Sequence, residues 1–313
     1  MRDFSRYQNF TGSNSKMKTG FVMSIKSRLQ RNGGRDTSRR HFLFSSSDNK
    51  ADLFLRDCTI EQILPHLLVY SSMASIGLKE RMWVATSMLS RFLQTFTNNL
   101  VVMEGDAPVG MLGGREVLKA FSKNPTRSFF FSSGVEDVMN RQLYIASPKT
   151  KVSDLLKKMQ QIQRDFALVK NDDGNYSTIS ARRLLEVAIL CATHMKVSDM
   201  PTRSIPTFGR DDTIGTIVTK MVRDGTEIMI LENTPQFVNP HIIFEKILQL
   251  NYLENIENFF DMKAITLNLR NGKIISENTT IPEMCKIMLG MKHTFVMTSR
   301  NVLTPWDLVF ALR

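Results

Sequence analysis

Apolar and polar positions follow two different periods along the chain. In residues 152–162 and 213–222 the apolar residues recur every three or four positions, which predicts amphipathic helices. The short apolar runs 166–169 and 176–179 predict strands, and the polar segment 171–175 between them, which contains a glycine, predicts a hairpin. The pattern therefore predicts a mixed α/β protein in which helices alternate with strand pairs.

The same order of elements recurs four times. In each unit a strand ends in a polar turn that opens a helix. The N-cap and N3 positions of these turns are Gly113 and Glu116, Ser180 and Arg183, Asn239 and Ile242, and Thr304 and Asp307. Successive turns are 67, 59 and 65 residues apart. Periods near 60 residues indicate small supersecondary units that stack on one another.

The last of these turns is the clearest helix start. Thr304 occupies the N-cap position, Pro305 occupies N1, where no amide hydrogen is needed, and Asp307 occupies N3. Free backbone N–H groups at such a start favour a phosphate, and Asp307 could accept hydrogen bonds from sugar hydroxyls. The alternative explanation is simple helix capping, because Ser/Thr-x-x-Asp/Glu opens helices in proteins of every function.

The succession of strand, helix, strand hairpin and a helix opened by Thr-x-x-Asp resembles the CBS domain, named for cystathionine β-synthase. The resemblance covers about residues 57–313 and implies an α/β (α+β) fold of four tandem β-α-β-β-α units in two pseudo-symmetric modules. Module 1, residues 57–193, would contain repeat 1 (57–124) and repeat 2 (135–193), and module 2, residues 196–313, would contain repeat 3 (196–252) and repeat 4 (256–313). Modules of this family commonly bind adenosine nucleotides or S-adenosylmethionine in their clefts.

The resemblance implies a regulatory ligand site in the cleft of module 2. The first strand of repeat 4 would read the adenine edge, the helix start would hold ribose and phosphate, and another strand would enter the cleft. The residues expected there are Ala264, Ile265, Thr266, Thr304, Pro305, Asp307, His293 and Thr294. AMP, ADP, ATP and S-adenosylmethionine all fit this expectation.

A weaker second site would use the turns of repeats 1 and 2. Glu116 could hold a ribose beside Gly113, although a first-turn carboxylate also has its own favourable interaction with the helix dipole. In repeat 2, Ser180 is still a capping residue at the N-cap, but Arg183 stands at N3 in place of the acid. We therefore expect recognition of a ribose diol to fail there. Arg182 and Arg183 could meet phosphates instead, and a solvated basic helix face is the alternative explanation.

Composition narrows the class of protein. A hydrophobic fraction of 42% over 313 residues predicts ordinary buried cores, and no apolar run approaches the length of a membrane span. Cys58, Cys191 and Cys285 are far apart and lack a C-x-x-C motif, which argues against a disulfide framework and a zinc site. The chain also lacks zinc-protease, nucleophile-elbow and phosphate-loop motifs. We therefore expect a cytoplasmic, non-enzymatic protein without metal or catalytic cofactor.

The net charge of +11 is concentrated near the start of the chain. Residues 1–50 hold 11 Lys or Arg and three Asp, so they carry +8 and predict a mobile basic tail. The tail suggests an alternative function, a nucleic-acid-associated protein in which the repeats serve as a dimerisation scaffold. An anionic membrane surface, an acidic protein or a merely disordered terminus would account for the same charges.

A homodimer through the helical faces of the modules is also expected. The apolar residues near repeat 1, among them Phe92, Phe96 and the run 129–131, exceed what one small unit can bury. Packing of the two modules against each other is the competing explanation.

Overall fold

The computed structural model describes residues 58–64, 67, 73–92, 99–171, 174–191, 193–201, 206–249, 256–299 and 301–311. The basic tail predicted for residues 1–50 lies outside these ranges. Within them, every helix is too short or too polar to cross a membrane.

The described helices and strands alternate along the chain as the hydrophobic pattern predicts. The α-helices are α1 (Ile60–Ile63), α2 (Met82–Phe92), α3 (Gly114–Phe121), α4 (Arg127–Ser132), α5 (Val135–Val138), α6 (Val152–Gln161), α7 (Ala181–Ala188), α8 (Ile214–Asp224), α9 (Pro240–Ile247), α10 (Ile281–Leu289) and α11 (Pro305–Ala311). Short 3-10 helices cover Val197–Asp199, Ile256–Asp261 and Ala264–Thr266. The strands are β1 (Ser75–Gly77), β2 (Asn99–Glu104), β3 (Ala107–Gly113), β4 (Ile145–Ala146), β5 (Phe166–Lys170), β6 (Tyr176–Ser180), β7 (Thr207–Phe208), β8 (Met229–Leu231), β9 (Gln236–Val238), β10 (Arg270–Asn271), β11 (Lys273–Ile274), β12 (Val296–Met297) and β13 (Val302–Leu303).

The described strands form one small sheet for each repeat, with the same topology. The orders are β1-β2-β3, β4-β5-β6, β7-β8-β9 and β11-β12-β13, and β10 extends the third sheet beside β9. In every sheet the first strand is parallel to the second and the second is antiparallel to the third. A parallel step needs a crossover connection, which α2, α6, α8 and α10 provide. The predicted α/β fold class is confirmed.

Local sequence explains the regular elements of repeat 2. In α6, Val152, Leu155, Leu156 and Met159 are buried, which places one apolar stripe on the core at helical spacing. The hairpin of β5 and β6 pairs Ala167 with Ile179, so residues two apart along each strand share a face.

A short helical segment precedes the first strand of each sheet, and we call it the lead-in of that repeat. Each lead-in contacts the other repeat of its module. The backbone N–H groups of Ile60, Val135, Val197 and Ala264 donate to the carbonyls of Thr150, Glu80, Thr279 and Asp212, respectively, at 2.8 to 3.0 Å. Repeat 1 therefore exchanges segments with repeat 2, and repeat 3 exchanges segments with repeat 4. This pairing is the one expected for two modules, while the proposed domain boundaries stay a prediction.

The strand predicted for Ala264, Ile265 and Thr266 is wrong. These residues form a 3-10 turn that Thr266 closes by donating its hydroxyl to the Lys263 carbonyl at 2.7 Å. The turn occupies the lead-in position of repeat 4, because Lys263 bridges to Thr213 as the other lead-ins bridge to their partners. The first strand of the repeat 4 sheet is β11, which pairs in parallel with β12.

The repeats pack through two kinds of interface. Sheet faces meet within a module, where Val101 and Met111 contact Phe166 and Leu168. Helical faces meet between modules, so repeat 1 shares a core with repeat 3, and repeat 2 shares a core with repeat 4. The described part of the chain is thus held together by apolar burial between repeats as well as within them.

This internal packing removes much of the argument for a homodimer. Phe129 and Phe130 are buried in the core shared by repeats 1 and 3, and Phe131 is 41% exposed and stacks on Trp83. The competing explanation, packing of one module on the other, accounts for the apolar helical faces that the structure describes. The homodimer stays a prediction, which light scattering of a monomer at micromolar concentration would reject.

Candidate functional site

A cavity of about 680 Å³ lies where the four repeats meet. The helix that follows the third strand of each repeat contributes its first turn to the wall. The wall residues from these turns are Gly114 and Arg115 of α3, Arg182 of α7, Pro240 and His241 of α9 with their N-cap Asn239, and Pro305, Trp306 and Asp307 of α11 with Thr304. Four helix starts therefore face one shared cavity, and the positive ends of their dipoles favour an anion there.

The first turn of α11 has the predicted capping geometry. The backbone N–H and the hydroxyl of Thr304 both donate to Asp307 Oδ2, at 2.9 and 2.7 Å. Asp307 is only 8% exposed, yet it lines the cavity, whereas Leu308 and Val309 anchor the same helix in the core. Capping and a cavity-facing carboxylate thus coexist in one side chain.

His293 and Thr294 line the same cavity beside the start of α9. His293 Nδ1 lies 3.2 Å from Asn239 Nδ2, and the centroids of the His293 and His241 rings are 5.6 Å apart. Burial lowers the pKa of His293 to about 4, helped by the neighbouring His241 and Lys292. Burial likewise lowers the pKa of His241. Both imidazoles are therefore neutral at pH 7.

The turn of repeat 1 is closed by an internal ion pair. Glu116 accepts the backbone N–H of Gly113 through Oε2 at 3.0 Å and meets Arg164 of repeat 2 through Oε1 at 2.6 Å. Both charged side chains are largely buried, and neither Gly113 nor Glu116 lines the cavity.

The arginines of α7 are buried, so their interpretation as a solvated basic face is wrong. The exposed fractions of Arg182 and Arg183 are 7% and 6%. Arg183 donates to the Thr178 carbonyl at 3.0 Å, while the amide of Arg183 donates to the Ser180 hydroxyl at 3.3 Å. Arg182 donates to the Met291 carbonyl of repeat 4 at 2.8 Å and lines the cavity. Burial lowers the pKa of Arg182 to about 10, so its guanidinium stays charged at pH 7.

Two cavity carboxylates were missed by sequence reasoning. Burial raises the pKa of Glu227 to about 7, with further contributions from the charges of Asp165 and Glu116. Burial also raises the pKa of Asp165. These acids stand just before β5 and β8, as Thr294 stands before β12, so an alignment of the repeats would have found them. The Glu227 side chain is exposed to solvent, but it lines the cavity and is surrounded by protein there.

Ala264, Ile265 and Thr266 do not contribute to this cavity. Ala264 is buried in the core shared by repeats 1 and 3, and Ile265 is 40% exposed. Of the eight residues expected at the main site, the structure brings together Thr304, Pro305, Asp307, His293 and Thr294. Among the described residues, no cluster of three His, Cys, Asp or Glu side chains is arranged to hold a metal ion.

Comparison with known proteins agrees with this architecture. Residues 135–189 match the family model described as the CBS domain. The chain therefore contains a CBS domain in this segment. Protein MJ1225 of Methanocaldococcus jannaschii, described as a proposed archaeal homolog of g-AMPK, is similar to it with a TM-score of 0.69 and 10% identity. That likeness covers 80% of this chain and 99% of MJ1225, and at such low identity it shows the fold alone.

An uncharacterized conserved protein from Pyrococcus horikoshii is also similar in structure. Its TM-score is 0.50 at 8% identity, and the likeness covers 79% of this chain and 99% of that protein. No curated protein matches this sequence.

The four repeats differ at the turn position that carries the acid in Thr-x-x-Asp. Repeat 1 has Glu116 in an ion pair, repeat 2 has Arg183 bound to its own strand, and repeat 3 has Ile242 fully buried. In repeat 4, Asp307 reaches the cavity wall. The geometry thus distinguishes repeat 4 from the other three repeats.

Proposed function

We propose that this protein is a regulatory CBS-domain protein that binds an adenosine-containing ligand at the repeat 4 side of the central cavity. The observation that carries the proposal is the position of Asp307, a first-turn carboxylate in the wall of a cavity of about 680 Å³. Cavities of roughly 300–1,000 Å³ are typical of small-molecule sites.

The wall offers a partner for each part of such a ligand. Asp307 would accept hydrogen bonds from the ribose hydroxyls. These would replace or accompany the hydrogen bond that Asp307 now accepts from the Thr304 hydroxyl. Arg182 and Lys292 would attract the phosphate. The apolar side chains of Phe295 and Trp306 in the same wall would pack against the adenine ring. AMP, ADP, ATP and S-adenosylmethionine are the candidate ligands.

A regulatory role follows from the place of the site. A ligand in this cavity would contact residues of several repeats and would stabilise the arrangement of repeats that it binds best. The structural neighbour MJ1225 is described as a proposed homolog of g-AMPK, and it supports a regulatory rather than a catalytic role for this chain.

Isothermal calorimetry with the four candidate ligands, adenosine and GMP tests the proposal. A charge-assisted hydrogen bond contributes about 1.5–3 kcal/mol, so Asp307→Ala should weaken binding of the preferred ligand about 10- to 150-fold. The matched control is Glu283→Ala, because Glu283 caps Thr280 of α10 with the same geometry but stands outside the cavity. If both variants bind as the parent does, Asp307 does not hold the ligand. If no adenosine ligand binds the parent, the proposed function is wrong.

A further inference from the structure

The part of the cavity between repeats 3 and 4 contains a buried imidazole with an unmet hydrogen-bonding atom. His241, in the first turn of the eight-residue helix α9, is 1% exposed and lines the cavity. Neither ring nitrogen has a hydrogen-bond partner of good geometry among the described residues, although Nε2 lies 3.0 Å from Glu245 Oε1. An unpaired buried polar atom is unfavourable, so a partner supplied by a ligand would recover free energy.

The surroundings of His241 are rich in hydrogen-bond donors. The Thr294 hydroxyl is also buried without a partner among the described residues. Asn239 places its amide beside His293, and Lys292 precedes His293 in the cavity wall. Arg182 is held beside this place by its bond to the Met291 carbonyl. We call Arg182, Asn239, His241, Lys292, His293 and Thr294 the donor recess.

The charged side chains near His241 and His293 have opposite effects on the pKa values of the two imidazoles. Lys292 and Arg270 both oppose protonation of the imidazoles, and Glu245 favours it. Glu245 is shared, since it also lies 3.3 Å from Arg270 and 3.8 Å from Lys292. Burial opposes protonation more strongly than any of these charges and lowers both pKa values, so both rings are neutral without a ligand. An anion in the recess would reverse this balance, because a nearby negative charge favours the imidazolium.

We propose that the donor recess binds a compact oxyanion and that His241 or His293 takes up a proton when it does so. The oxyanion would be the phosphate of the adenosine ligand or free inorganic phosphate, which share this chemistry. The inference deepens the proposed function, because it makes ligand affinity depend on pH through residues separate from Asp307.

Sulfate is the first probe, because it keeps its full charge between pH 6 and pH 8, where phosphate itself titrates. Uptake of one proton can change affinity by at most about tenfold for each pH unit. We expect calorimetry on the full chain to give sulfate binding at least about tenfold tighter at pH 6 than at pH 8. AMP binding at pH 7.5, measured in buffers of different ionisation enthalpy, should show net proton uptake, and adenosine binding should show none.

Two variants localise the proton. His241→Gln and His293→Gln should each weaken sulfate binding at pH 6, and at least one should remove its pH dependence. Thermal melting identifies a variant that fails to fold, in which case the other variant decides. His194→Gln is the matched control, since His194 is exposed and outside the cavity. Glu227→Gln controls for the titrating cavity acid and should leave the pH dependence unchanged.

The outcomes separate this inference from the proposed function. If AMP and adenosine bind equally and sulfate does not bind, the inference is wrong while adenosine binding stands. If sulfate binds in the expected way but no adenosine ligand does, the recess takes a free anion and the proposed function is wrong. Sulfate binding that is independent of pH, or that survives in both histidine variants, overturns the inference.

Discussion

Single polar residues of the repeat turns have roles that neighbouring positions in the sequence do not reveal. Arg182 and Arg183 are adjacent, yet Arg183 bonds within its own repeat and Arg182 bonds to repeat 4. Glu116 has the first-turn position of an acid that could hold a ribose, but Arg164 pairs with it. The chemistry of these side chains was therefore decided by the residues that fold against them.

Glu227 should make stability depend on pH. Its folded pKa of about 7 lies above the value of an unfolded glutamate, about 4.3, so the folded state binds the proton more tightly. This contribution to stability is complete below pH 4 and is lost as pH rises through 7. Glu227→Gln should be more stable than the parent at pH 8, and the difference should shrink toward pH 5. Urea unfolding at pH 5, 6, 7 and 8 measures this.

The control for Glu227→Gln is Glu232→Gln, because Glu232 is an exposed acid outside the cavity. A parent and a Glu227→Gln variant with parallel pH profiles would show that Glu227 titrates at the same pH in the folded and unfolded chains.

At the scale of elements, the starts of α3 and α9 approach each other closely. A Cβ atom built on Gly114 would lie 2.7 Å from Pro240 Cβ and 3.1 Å from its Cγ. A proline ring has little freedom to move aside, so only glycine fits this contact between repeats 1 and 3. The same two helix starts line the cavity, and their spacing contributes to its shape.

Gly114→Ala should therefore destabilise the protein. Overpacking costs about 1–3 kcal/mol, which exceeds the gain of about 0.5–1 kcal/mol that alanine normally brings to a helix. We expect a net loss of about 1–2 kcal/mol in the free energy of unfolding, measured with urea. In the control Gly77→Ala, the new Cβ would meet its nearest neighbour at an ordinary 3.6 Å, so stability should change little. Equal stabilities of the two variants would contradict the tight contact.

At the scale of the whole molecule, one feature lies outside the described repeats. The +8 charge of residues 1–50 is not required by the CBS architecture. If this tail binds nucleic acid through about six to eight phosphates, affinity should fall roughly a thousand-fold between 50 and 200 mM salt. Titration of duplex and single-stranded oligonucleotides at both salt concentrations would compare the full chain with a shortened chain beginning at Asp52. Equal binding by the two chains, or none by either, would exclude a role of the tail.

The sequence by itself determined the features that depend on a few consecutive residues. The apolar stripe of α6, the hairpin of β5 and β6, and the cap formed by Thr304 and Asp307 follow from spacing and local hydrogen bonds. Because these local patterns recur, the four repeats and their order were also predictable from the chain alone.

Only the tertiary structure decided what each polar side chain meets. Arg182 donates to a carbonyl 109 positions away along the chain. Ala264 lies in a 3-10 turn and not in the predicted strand, because this segment is the lead-in that contacts the other repeat. The cavity acids Asp165 and Glu227 come from different repeats and influence each other only after folding. Periodicity tells which residues of an element are apolar, but burial and electrostatics depend on neighbours that are distant along the chain.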